Sequence, residues 1–193
     1  MKLETVEKAL QLTYPLAFRA LYEAGALRWL CGRPQAKSHL FPNQLLEEVY
    51  YPHWDLLPFS DVKRVRSYLY MQVELNRGHW KDGVQPLPFA AEGEGDIFFF
   101  DAGLNNPDAP VFCWAKDRGR VSAFSRSFEE FICAELCERV ANGLIPLEHW
   151  WVQNQLHWLT PAHRAPFLAE NLPELDRMVF QVSFWADTDY VTY

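Results

Sequence analysis

The chain has 193 residues, of which 49% are hydrophobic, 16% aromatic and 22% charged, enough apolar material to bury a core and to exclude disorder over most of its length. Eighteen basic residues against 25 acidic ones leave a net charge of −7, which argues against binding nucleic acid by phosphate neutralisation and favours a basic partner. No apolar run reaches the roughly 18 residues a membrane span needs, and Glu4 and Glu7 stand where a secretory leader would be apolar, so the expectation is a cytoplasmic protein without membrane contact.

Residues 3 to 12 read as a short amphipathic helix carrying Leu3, Val6, Ala9 and Leu10. A second helix follows, with Pro15 in its first turn and Gly25 just past its end, lining up Phe18, Leu21 and Tyr22. Residues 31 to 44 are loop-like, and Leu45, Leu46, Val49 and Tyr50 point to a further short helix ended before Pro52. Val62, Val65, Leu69 and Val73 then recur at helical spacing after Ser60, a candidate N-cap. Because Leu69, Met71, Val73 and Leu75 also alternate as in a strand, both readings stand; helix is preferred, with Lys63, Arg64 and Arg66 on its outer side.

Beyond Trp80 the pattern changes. Pro86 and Pro88 make an extended entry, Gly93 and Gly95 a turn, and Ile97-Phe98-Phe99-Phe100 an apolar run that fits a strand covered on both faces. Val111 to Ala115 and Val121 to Phe124 form an antiparallel hairpin about Asp117-Arg118-Gly119. Ser127-Phe128-Glu129-Glu130 is a capping box, in which Glu130 reaches back to the N–H of Ser127. The helix it opens carries Phe128, Phe131, Ile132, Leu136 and Val140 and stops at Asn142-Gly143. Leu147 to Leu159 reads as a Trp-rich helix, Thr160-Pro161 opens another turn of helix that Pro166 and Pro173 keep short, and Met178, Phe180, Val182 and Phe184 alternate as a late strand.

Catalytic signatures are not evident. Gly93-Glu94-Gly95 precedes a strand rather than a helix and is acidic, so it reads as a turn and not a phosphate loop. No two of the six histidines stand four residues apart, Asp187-Thr188-Asp189 reads as solvated loop, and no metal site or cofactor is expected. Cys31, Cys113, Cys133 and Cys137 contain no C-x-x-C pair and read as reduced, mostly buried residues. The charges are more informative. From Asp82 to Asp108 there is no Lys or Arg, and Glu129, Glu130, Glu135 and Glu138 follow on the capped helix. Glu92, Glu94, Asp101, Asp108 and those four glutamates are the candidate docking surface for a basic protein. Against it stand two plainer readings: Asp96 and Asp101 as turn residues bonded to backbone, and an apolar rim at Trp150, Trp151 and Trp158.

Trp80, Pro86-Leu87-Pro88-Phe89-Ala90, Glu94-Gly95-Asp96 leading into Ile97–Asp101, Pro110-Val111-Phe112-Cys113-Trp114 and Ser127-Phe128-Glu129-Glu130-Phe131 occur in this order. Together they resemble the SUKH superfamily, which includes fungal cell-wall-assembly regulators and bacterial immunity proteins. The Tyr14-Pro15 helix ending near Gly25 is similar to that family's opening helix. The resemblance implies an α+β fold with helices packed on one side of a central, largely antiparallel sheet: a single domain over 1–193, with its core motif at about 14–143 and a C-terminal extension at about 144–193. It also implies a non-catalytic role: binding a cognate toxin, possibly a nuclease, and occluding its active site. The alternative is a regulatory scaffold with several partners.

Overall fold

Ile97–Asp101 (β4) runs through the middle of a six-stranded antiparallel sheet ordered β1-β3-β4-β5-β6-β7. Its neighbours are Trp54–Leu56 (β1), Pro86–Glu92 (β3), Val111–Ala115 (β5), Arg120–Ser125 (β6) and Ala186–Asp187 (β7), while His79–Trp80 (β2) pairs with Val191–Thr192 (β8) in a small second sheet. The helices are Leu3–Leu10 (α1), Leu16–Glu23 (α2), Val62–Leu75 (α3), Phe128–Ala141 (α4), Trp150–Leu156 (α5), Pro161–Leu168 (α6) and Leu172–Val182 (α7). The computed structural model describes residues 2–25, 27, 54–92, 95–104, 106–143, 145–182, 186–187 and 190–192. The loop expected at 31–44, the helix expected at 45–50 and Cys31 lie outside the described residues.

Every residue of β4 and β5 is buried because both faces of the sheet are covered. Phe98, Phe100, Val111 and Cys113 face the main core, with Phe18 of α2, Phe128 and Phe131 of α4, Leu156 of α5, Phe167 of α6 and Leu175 of α7. Ile97, Phe99, Phe112 and Trp114 face the other way, onto Leu69 and Val73 of α3. The helices therefore occupy both sides of the sheet, not the single side implied by the resemblance. Of the rings expected inside, Phe98, Phe100, Phe112, Trp114, Phe128 and Phe131 are buried and Phe124 is half-buried. Residues 145 onward supply Ile145, Val152, Leu159 and Met178 to the main core.

The motif residues have local structural reasons. At Pro86 and Pro88 strand β3 extends past the end of β1, so the edge is open and no ladder N–H is missed. The carbonyls on that edge are occupied: Arg66 Nε donates to Pro86 O (2.8 Å) and the buried Tyr14 hydroxyl donates to Pro88 O (2.9 Å). Burial, reinforced by the charge of Glu7, pushes the Tyr14 phenol far up, which keeps the proton that this bond needs. A bulge between Pro88 and Ala90 then lets Phe89 and Ala90 both join the main core. At the two ends of β4, Asp96 Oδ1 accepts from Lys116 N (2.8 Å), and Asp101 Oδ1 accepts from Gln85 N (2.8 Å) and Gly103 N (2.9 Å). The second of these junctions needs glycine, since a Cβ on Gly103 would sit 2.2 Å from Gly83 O.

Four expectations need correction. The strand expected at 178–184 is helix α7 up to Val182: Leu175 and Met178, three residues apart, are buried in the main core, whereas a strand would bury alternate residues. Ser60 lies one residue before the N-cap position, which Asp61 occupies, and Arg66 reaches inward to Pro86 O instead of lying on the outer side of α3. In the capping box Ser127 Oγ accepts from Glu130 N (3.1 Å) as expected, but Glu130 Oε2 accepts from Arg126 N (2.9 Å), one residue earlier than Ser127.

Candidate functional site

Helix α4 starts where Ser127 caps it, and its first turn carries Glu129 and Glu130 at the positive end of the helix dipole. Glu129 Oε1 accepts from Thr160 N (2.6 Å) and lies 2.8 Å from His163 Nδ1, so the start of α6 is attached to the start of α4. Beside them stands the 106–109 loop. Asn106 Oδ1 accepts from Asp108 N (3.1 Å), and Pro107 O accepts from Ala17 N at the start of α2 (3.4 Å). Asp108 is exposed, yet partial desolvation and then the charges of Glu129 and Glu130 raise its carboxyl above the usual carboxylate range. Leu16, 65% exposed, adjoins the loop through that α2 contact.

Three of the eight candidate acids are thus gathered: Asp108, Glu129 and Glu130. Two others are taken up by the fold. Asp101 is 3% exposed and holds two backbone N–H groups, which matches the turn-residue alternative. Glu135 is buried in an ion pair with Arg139. The causes differ: Asp101 has no opposite charge near it in sequence and is taken up by backbone N–H groups that only the fold brings to it, whereas Glu135 has Arg139 four residues on, and what the sequence leaves open is that this pair is buried. Glu138 is exposed about two turns further along α4. Glu92 ends β3, and its side chain, like all of Glu94, lies outside the described residues, as do the side chains of Trp150 and Trp151; Trp158 is 38% exposed. The roles of Thr160 and His163 were not legible: their capping pattern was visible, but the link to a glutamate 31 residues earlier is made by tertiary packing.

Chemically, the cluster gathers three acids of which Glu130 already pairs with exposed Arg126 (3.7 Å) and Glu129 lies against His163, leaving exposed Asp108 as the acid best placed to meet an outside cationic group. Among the described residues, no group of three or more His, Cys, Asp or Glu is placed to hold a metal ion, and no helix is long and apolar enough to cross a membrane. Cys113, Cys133 and Cys137 are buried, with Cys133 Sγ and Cys137 Sγ 3.8 Å apart.

The raised Asp108 carboxyl has a testable consequence. The folded protein holds this proton more tightly than the unfolded chain, so the associated stability is present at low pH and is lost as pH rises through the folded pKa. Asp108→Asn is therefore expected to melt above the parent at pH 7, with the gap closing below the carboxylate range; paired thermal melts across pH check this.

The architecture defines an α+β protein whose antiparallel sheet carries helices on both faces, with Asp108, Glu129 and Glu130 near the start of α4. Residues 2–134 match the SMI1 / KNR4 family (SUKH-1), and the chain belongs to that family. Membership supports a function of the immunity-protein or regulator type. No curated protein and no solved structure matches the chain. The family match ends within α4, so Thr160 and His163 are contributed from beyond it.

Proposed function

We propose that this protein is a cytosolic immunity protein that binds a cognate toxin with a basic active site and occludes it, without chemistry of its own. The observation that carries the reading is the placement of Asp108 beside Glu129 and Glu130, where partial desolvation first, and then repulsion from the two glutamates, raise the Asp108 carboxyl. A cationic partner relieves that repulsion, so part of the cost of assembling the surface returns as binding free energy. Leu16 is an exposed apolar residue next to Ala17, which bonds the loop that carries Asp108. Because Asp108 must be ionised to contribute, the complex is expected to weaken as pH falls through its raised pKa.

The reading expects a toxin to be encoded beside the gene, and the product of the adjacent reading frame is the partner to use. Stopped-flow association at low and high salt is expected to slow about tenfold for Asp108→Lys at low salt, and to lose most of its salt dependence. An unchanged rate at both salts would remove the acidic surface from the reading. Failure of the pair to form any complex, with the toxin remaining active, would remove the immunity role and favour a regulator.

A further inference from the structure

We propose that the outer face of α3 is a second docking surface, one that takes an acidic, amphipathic helix of a partner protein. Tyr68, Met71 and Leu75 are 39%, 45% and 68% exposed, and their spacing places them on one stripe of the helix. This stripe does not arise from a loosely seated helix. Val62, Leu69 and Val73 on the inner face are fully buried, Arg66 is bonded to Pro86 O, and the Tyr70 ring lies edge-on to Trp80 at 5.6 Å. A rigid helix thus presents three large apolar side chains outward, at the spacing by which one helix reads another.

The charge around the stripe selects the occupant. Exposed Lys63 and Arg64 flank its start, and exposed Arg77 stands at its end. Beside Arg77 comes the β5–β6 turn: Gly119 packs so close to Asn76 that a Cβ there would meet Asn76 Oδ1 at 2.5 Å, which brings exposed Arg118 to the same end. The acids here are Asp61, 3.3 Å from Arg64, and Glu74 on the helix segment, and exposed Asp117 in the turn, where Lys116, Arg118 and Arg120 outnumber it. In a chain of net charge −7, this face is locally basic. It also belongs to the α3 side of the sheet, whereas the acidic surface at α4 belongs to the main-core side.

A second copy of the chain fits poorly, because two-fold pairing about Met71 sets the Lys63–Arg64 end of one copy against the Arg77 end of the other. Nucleic acid fits poorly too, since Met71 and Leu75 at the centre of the stripe gain nothing from phosphate. A partner helix with apolar residues at heptad spacing and glutamates beside them satisfies both the stripe and its rim.

The test is an NMR titration of the full chain with a synthetic helical peptide carrying leucines at the first and fourth heptad positions and glutamates beside them. The expected result is saturable shifts confined to the amides of α3 and residues 116–120. Affinity should fall about tenfold in Met71→Glu and again in Arg64→Glu, with the remaining amide spectrum unchanged as evidence of folding. The same peptide with lysines in place of glutamates is expected not to bind. Absence of shifts on α3, equal binding of the lysine peptide, or stronger binding of duplex RNA, anionic vesicles or a second copy at this face would overturn the proposal. No toxin enters the titration, so this inference and the immunity reading can fail independently.

Discussion

Phe128→Ala is expected to cost about 3–5 kcal/mol of stability, enough to consume a large share of the roughly 5–15 kcal/mol by which a domain of this size is stable. Phe128 is fully buried at the first position of α4, and its ring packs within 5.3–6.0 Å of those of Phe18, Phe89, Phe100 and Phe131. It thus joins α2, β3, β4 and α4 at one point, and well-packed neighbours on rigid elements cannot collapse into the space it leaves. The residues that follow it are Glu129 and Glu130, so on the proposed reading binding is expected to suffer as well: the helix start that carries these acids loses its anchor. Urea unfolding measures the first effect. Toxin association of the residual folded fraction measures the second, and a stability loss below about 1 kcal/mol would show that the aromatic cluster is not the keystone described here.

Arg139→Met is expected to be comparably severe, about 3–5 kcal/mol, for a different reason. Arg139 Nε donates to Glu135 Oε1 one turn earlier on α4, with the side chains 3% and 9% exposed. Removing the guanidinium leaves a carboxylate buried without its paired charge, and the desolvation cost is then no longer offset. The double variant Glu135→Leu with Arg139→Met removes both charges and should recover most of the loss, or exceed the parent, because an apolar pair of similar volume carries no desolvation penalty. A double-mutant cycle from denaturant melts checks this: additive losses in the two single variants and the double would contradict a coupled pair.

Much of the fold could be read from residues. The β4 run, the β5–β6 hairpin and the α4 start announced themselves because their signals are local: an apolar stretch between aspartates, a glycine turn, a serine three residues before a glutamate. The ambiguous 60–77 segment resolved as helix α3, and the residues that make it ambiguous are instructive. Met71 and Leu75 alternate with Leu69 and Val73 as a strand would, but as helix residues they point outward and form the exposed stripe. The same apolar alternation misled at 178–184, where the run of Met178, Val179 and Phe180 has no polar residue to betray its period and belongs to α7.

The candidate site was legible only in outline. The uneven spread of the acids marked them as candidates, but which of them stand together did not follow from it. Asp101 and Glu135 have the same formal charge as Asp108 and Glu130, and the chain order says nothing of the backbone amides of Gln85 and Gly103 that occupy Asp101, nor of the burial of the Glu135–Arg139 pair four residues apart on α4.

By itself, the amino-acid order determined the class of the protein, its family motifs and the positions of its principal strands and of the capped helix. These depend on backbone preference and hydrophobic period, which act over a few residues. Only the tertiary structure decided that helices cover both faces of the sheet, that Thr160 and His163 meet Glu129, and that Asp108 stands beside Glu129 and Glu130 while Asp101 and Glu135 are withdrawn into the fold. The reason is physical: electrostatic and desolvation effects depend on through-space distance and burial, and those exist only once segments far apart in the chain have packed together.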